Sequence, residues 1–106
     1  MNQQLTKRKL TSKRILNALE QHKTELSQMG VLKIGLFGSY QRGEATSESD
    51  MDFLVALEKP SFDSYMNVKF FLEDLFDCPA DLVLEETIKP RLRSQILSEV
   101  RYATGY

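Results

Sequence analysis

"GLFGSYQRGEATSESDMDFLV" (residues 35–55) is the stretch whose reading decides the fold. An apolar run ends in a Gly38-Ser39 turn, a ten-residue spacer follows, and Asp50-Met51-Asp52 opens a second apolar run. Side chains alternate across a strand, so Asp50 and Asp52 share one side, roughly 6–7 Å apart along the backbone. Met51, Phe53 and Val55 take the other side, toward a core. Two like charges on one sheet edge repel each other. A hard divalent cation such as Mg²⁺ removes that cost by taking carboxylate oxygens as ligands. Two hydrated aspartates at a strand start are the alternative for an isolated Asp-x-Asp. Asp81 shifts the balance: it lies between Ala80 and Leu82 in "ADLVL" (80–84), and a charge within an apolar strand needs a partner. Paired beside the second strand, it brings a third carboxylate to the first two. Three are enough to hold two metal ions about 3.5–4 Å apart, the arrangement used in phosphoryl-type transfer.

The turn supplies the complementary half. Gly38 lets backbone N–H groups approach an anion closely, and Ser39 adds a hydroxyl donor. "YQRGE" (40–44) reads as a short helix, and helix starts favour phosphate. Arg42 offers a charge-assisted contact to phosphate oxygens. A Gly-Ser after a strand is also a common tight turn, so only the combination has force. The chain holds no G-x-x-x-x-G-K-[ST] and no G-x-G-x-x-G, which excludes a P-loop and a dinucleotide fold.

Outward from this stretch, residues 11–29 read as one helix, with Ile15, Leu19, Leu26 and Met29 near one stripe and Leu16 beside it. Thr11 or Ser12 caps its start, and Gly30 suits the left-handed position past its end. Strands are expected at 31–37, 51–57 and 80–84. Ser61 or Asp63 caps a helix running to Phe76, whose Phe62, Tyr65, Met66, Phe71, Leu72, Leu75 and Phe76 form a broad apolar face. Pro90 suits the first turn of a last helix, with Leu92, Ile96 and Val100 recurring every four residues and Leu97 alongside. The closing "RYATGY" fits either a fraying helix or a short edge strand. The order α-β-β-α-β-α defines an α+β class, a small sheet with helices packed against it.

The 106 residues form one domain, 1–106, with 1–10 as a flexible N-terminal segment. Fourteen basic and fifteen acidic side chains leave a net charge of −1, so no global field invites nucleic acid, and no direct nucleic-acid binding is expected. The basic cluster "TKRKLTSKR" (6–14) reads as a solvated helix lead-in, with contact to a partner or RNA as the alternative. Cys78 is the single cysteine and reads as a small buried filler; no internal disulfide is possible. His22 is the single histidine, which excludes a His-rich zinc site, and it is expected on a solvent-facing helical position. No apolar segment approaches the ~20 residues of a membrane span, and "MNQQLTKRK" lacks a signal peptide's apolar stretch, so a cytoplasmic location is expected.

At these residues the chain resembles the DNA polymerase β-like nucleotidyltransferases, and within them the minimal nucleotidyltransferases. Their signature is Gly-Ser, ten residues, Asp-x-Asp, then a third Asp on a following strand. Here those positions are Gly38, Ser39, Asp50, Asp52 and Asp81. The Arg-Gly-Glu of "GSYQRGEATSESDMDFLV" and the tail "IKPRLRSQILSEV" also resemble the family, over about residues 31–102. Gln41 departs from the small residue usual before the arginine. The second domain that larger relatives use to hold an acceptor is not expected in this chain.

The resemblance implies a palm-like fold and Mg²⁺-dependent transfer of AMP from ATP to a hydroxyl, a tyrosine of a partner HEPN-domain ribonuclease toxin, with the chain acting as its antitoxin. It implies that Asp50 and Asp52 bind two Mg²⁺ ions. Asp81 would complete the second site and draw the acceptor proton, while Gly38 and Ser39 grip the β- and γ-phosphates with Arg42 nearby. A non-catalytic antitoxin that masks the toxin by contact, and nucleotide transfer to a small molecule, are the alternatives. For masking, the "SFDSYMNVKFF" helix and the basic start would form the surface, although core packing is the plainer use of that helix.

Overall fold

In the computed structural model, which describes residues 10–106, the chain is ordered as five helices and four strands. Helices α1 (Ser12–Gln21) and α2 (Lys23–Gln28) lead into β1 (Val31–Phe37), the short α3 (Gly38–Arg42) and β2 (Met51–Leu57). There follow α4 (Phe62–Phe76), β3 (Ala80–Leu84), a 3₁₀ turn (Glu85–Thr87), α5 (Pro90–Glu99) and β4 (Arg101–Tyr102). The sheet order is β3-β2-β1-β4, with β2 parallel to β3 and the other pairs antiparallel. The closing segment is thus an edge strand. The expected flexible segment lies outside the described residues except for Leu10, which is already buried in the core. Lys7, Arg8 and Lys9 of the basic cluster lie outside them as well. Among the described residues no helix is long and apolar enough to cross a membrane.

One face of the sheet carries the core. Ile34 and Leu36 of β1, Met51, Phe53 and Val55 of β2, and Ala80 and Leu82 of β3 are buried with Ile15, Leu19, Leu26, Val68, Leu72 and Phe76 from the helices. The spacing from Val31 to Ile34 is odd, so a regular strand would send these two to opposite faces. A bulge between Val31 and Lys33 absorbs the extra residue; Leu32 is left exposed while Val31 and Ile34 both reach the core. Helix α4 starts on a capping box: the Ser64 N–H donates to Ser61 Oγ at 3.0 Å and the Ser61 N–H donates to Ser64 Oγ at 2.9 Å.

Two expectations change. The helix expected over 11–29 divides at His22, which ends α1 and begins α2. The Leu19 carbonyl, which a continuous helix would satisfy from residue 23, accepts the Tyr106 hydroxyl at 2.6 Å instead. Glu20 accepts the N–H and hydroxyl of Thr104, so the chain's end is docked across the break. His22 is accordingly half-buried, its ring edge against Phe71. On α5 the apolar repeat does not become a buried stripe: no residue of this helix is buried, and Leu92 and Leu97 are exposed. The helix is held at its ends instead, by buried Ile88 before it and by Val100 after it, which crowds the space a Gly35 side chain would need.

The outer edge of β3 is closed by α4. Glu73 Oε2 accepts the Ala80 N–H at 2.9 Å, and Lys69, paired with Glu73 at 3.3 Å, donates to the Ala80 carbonyl. The Ala80 N–H holds the Glu73 carboxyl below its usual 4.5. A lowered carboxyl stabilises the fold fully above its unfolded value and loses that contribution as pH falls through the folded one. Glu73→Ala is therefore expected to destabilise by about 1 kcal/mol at pH 7 in urea unfolding, the gap to the wild type closing below pH 4.5.

Candidate active site

Asp52 occupies the centre of the arrangement because β2 is an interior strand. It pairs with Phe37 at the end of β1 on one side and with Asp81 of β3 on the other. Residues paired in neighbouring strands point to the same face. Met51, Phe53, Ala80 and Leu82 all face the core, so Asp52 and Asp81 project together from the opposite, open face. Asp50, just before β2, is exposed, as is Asp81, while Asp52 is half-buried. The reason given above for a partner to Asp81 needs correcting. Its side chain is not sunk in an apolar strand: the alternation places Ala80 and Leu82 inward and Asp81 in solvent. Strand register, rather than burial, brings it beside Asp52.

The turn meets this group directly. Gly38 has φ +77°, and a Cβ there would fall 2.2 Å from Asp52 Oδ2. The backbone of the turn and the Asp52 carboxylate therefore touch at a place where only hydrogen fits. Tyr40 anchors α3 from behind: it is buried, its hydroxyl lies 3.7 Å from Cys78 Sγ, and burial pushes the phenol up to about 12. Ser39 is partly exposed at the first turn of α3. Gly43, at φ +77°, ends the helix, and the Glu44 N–H donates to the Ser39 carbonyl at 2.9 Å. A tight turn at 46–49, held by Ser49 N–H to Thr46 O (3.0 Å) and Thr46 N–H to Ser49 Oγ (2.9 Å), leads into Asp50. The spacer thus has a physical content: one helical turn and one loop that carry the chain from the end of β1 back to the start of its antiparallel neighbour.

Arg42 lies on the same side. Its Nε donates to Glu44 Oε1 at 3.0 Å and its Nη1 to Glu99 Oε1 at 3.0 Å. The same Glu99 oxygen accepts the Gly38 N–H at 3.2 Å. Neither Glu99 nor the anchoring Tyr40 was singled out by the sequence. Glu99 stands 61 positions from Gly38, and no spacing rule links the two; Tyr40, an aromatic directly after the Gly-Ser turn, offered a legible signal.

The electrostatics centre on Asp52, whose carboxyl is pushed up to about 6. Burial is the largest cause; the charges of Asp81 and Asp50 add to it, the Arg42 guanidinium opposes them, and Glu99 adds a further repulsion. Among the described residues no three acidic, histidine or cysteine side chains are drawn tightly enough together to enclose an ion as they stand. Like charges with nothing between them spread apart. The donor set itself suits a hard cation: it is carboxylate oxygen only, with Cys78 packed behind Tyr40 and His22 against Phe71.

Comparison with known proteins agrees with this geometry. Residues 19–103 match the family model described as a nucleotidyltransferase domain. A curated relative, the protein adenylyltransferase MntA of Thermococcus cleftensis, is 41% identical over 95 residues, covering 88% of this chain and 96% of the relative. A solved structure assigned to the minimal nucleotidyltransferases superposes with TM-score 0.75 at 32% identity, covering 88% of this chain and 96% of the other. The fold is also that of the MNT antitoxin solved with the tri-AMPylated HEPN toxin of Shewanella oneidensis, with TM-score 0.61, 20% identity, and 86% and 73% of the two chains covered. With most of its length matched by the family model, and with its sheet arranged as in these minimal enzymes, the chain belongs to the nucleotidyltransferase-domain family.

Proposed function

We propose that the protein transfers AMP from ATP to a tyrosine hydroxyl of a partner HEPN-domain ribonuclease toxin and thereby acts as its antitoxin. The observation that carries this reading is the row Phe37–Asp52–Asp81 across three strands, with the Gly38 backbone against the Asp52 carboxylate. The 41% identical relative named a protein adenylyltransferase and the HEPN-bound antitoxin of the same fold support the acceptor class.

In this reading Asp50, Asp52 and Asp81 would hold two Mg²⁺ ions. When bound, such ions neutralise the triphosphate and the charge that develops during transfer. The Gly38 N–H, the Ser39 hydroxyl and Arg42 bind and orient the β- and γ-phosphates. Asp81, the more exposed of the two paired aspartates, is open to an acceptor carried in by another protein and takes the hydroxyl proton. The acceptor oxygen forms its bond to the α-phosphorus as the bond to pyrophosphate breaks in line, and pyrophosphate leaves with that electron pair.

A masking antitoxin is the second reading. Its specific support is that α4 leaves two large aromatic side chains in solvent, Phe62 at 76% and Phe70 at 53% exposure, where the sequence assigned Phe62 to the core-facing side. The two readings separate cleanly. Asp50→Ala with Asp52→Ala is expected to lower label transfer from ATP to the HEPN partner by on the order of 10³-fold and to abolish neutralisation of the toxin. Unchanged neutralisation by that variant would leave masking as the mechanism.

Gly38→Ala places a methyl against Asp52 and a side chain at positive φ. It is expected to cut transfer by on the order of 10²-fold while the circular dichroism of the fold is retained. The raised carboxyl of Asp52 reverses the usual acid dependence. Its folded value of about 6 lies above the ordinary 3.8, so the folded state takes up a proton between these limits. Stability from this group is present at low pH and is lost as pH rises toward 6. Without divalent cations, Asp52→Asn is thus expected to melt above the wild type at pH 7.5 and level with it below pH 3.8. Mg²⁺ is expected to raise the wild-type melting temperature more at pH 7.5 than at pH 5, and to raise that of Asp52→Asn little at either.

A further inference from the structure

Glu99 is the last residue of α5 and stands where three features disfavour a carboxylate. A negative charge at a helix C-terminus opposes the helix dipole. Its charge adds to the repulsion at Asp52. The helix that carries it buries no side chain, so packing does not force it there. What attracts it is a pair of donors: the Gly38 N–H at 3.2 Å and Arg42 Nη1 at 3.0 Å, both meeting one oxygen, Oε1. A backbone N–H and a guanidinium converging on one anionic oxygen is the contact pattern a phosphate oxygen makes. These are also the donors assigned above to the triphosphate.

From this geometry we propose that Glu99 is an internal competitor of the nucleotide's phosphates. It closes the anion position when no nucleotide is present, is displaced when phosphate oxygens take its two donors, and returns as pyrophosphate departs. The inference rests on the reading of Gly38 and Arg42 as phosphate donors and adds a gating residue to it. Once those donors are taken, Asp52, the helix dipole and the phosphates themselves all repel the freed carboxylate. The loosely packed α5 offers little resistance to its leaving.

The test is anion binding without metal or turnover. Inorganic tripolyphosphate is titrated into wild-type protein, Glu99→Gln and Glu99→Ala, with the Gly38 amide followed by ¹H–¹⁵N NMR, which reports folding in the same spectra. Glu99→Gln keeps an acceptor oxygen and loses the charge; Glu99→Ala loses both. Both variants are expected to bind about two- to tenfold more tightly than the wild type, the range for a partly exposed charge pair with a charge-assisted hydrogen bond. Equal or weaker binding by the variants, with Gly38 still responding, overturns the competitor role and makes Glu99 a residue that positions Arg42. A Gly38 amide that stays unmoved in all three proteins overturns the phosphate reading itself, and the competitor role with it.

Discussion

The contact between the Asp52 carboxylate and the backbone of Gly38 organises everything around it. Asp52 Oδ2 lies where a Cβ on residue 38 would sit, so the strand carrying the acid and the turn that would meet the phosphates are locked at the closest approach the chain allows. Antiparallel pairing of β1 with β2 places Phe37 opposite Asp52, which delivers Gly38 to that contact. Parallel pairing of β2 with β3 sets Asp81 on the other side. A slip of one residue in either pairing would turn one member of the row into the core.

This arrangement is tolerated because the sheet is asymmetric. Its inner face gathers the apolar side chains of three strands against α1, α2 and α4, which leaves the outer face for charge. There the acidic side chains raise the Asp52 carboxyl to about 6, a strained ground state for the unliganded fold. Residues that stabilise the surroundings lie away from the charges: Tyr40 fixes α3 from the core side, and Lys69 with Glu73 holds the edge of β3 where Asp81 begins its row. Stability is concentrated behind the site and mutual repulsion within it, a pattern in which a cationic ligand has the most to contribute.

Much of the fold was legible in local pattern. The three long strands, the Ser61 cap, the Pro90 start and the left-handed Gly30 follow from alternation, capping chemistry and glycine's freedom at positive φ. The failures have a common cause in contacts made far along the chain. The division of the first helix at His22 accompanies Tyr106 and Thr104 binding the last turn of α1. The apolar repeat of α5 is a true helical pattern, yet periodicity records only which residues share a face and not whether anything covers it. Leu32 is exposed because a bulge resolves the conflict between Val31 and Ile34.

The sequence by itself determined the ingredients: a Gly-Ser turn, a spacer of the length that one helical turn and one loop consume, and aspartates at alternating strand positions. Those are local facts, set by backbone geometry over a few residues. Only the tertiary structure decided that Asp81 stands directly across from Asp52, and that a carboxylate 61 positions from Gly38 fills the place beside it and Arg42. Strand order and register arise from burying the apolar face as a whole, and no stretch of sequence short enough to read as a motif contains that information.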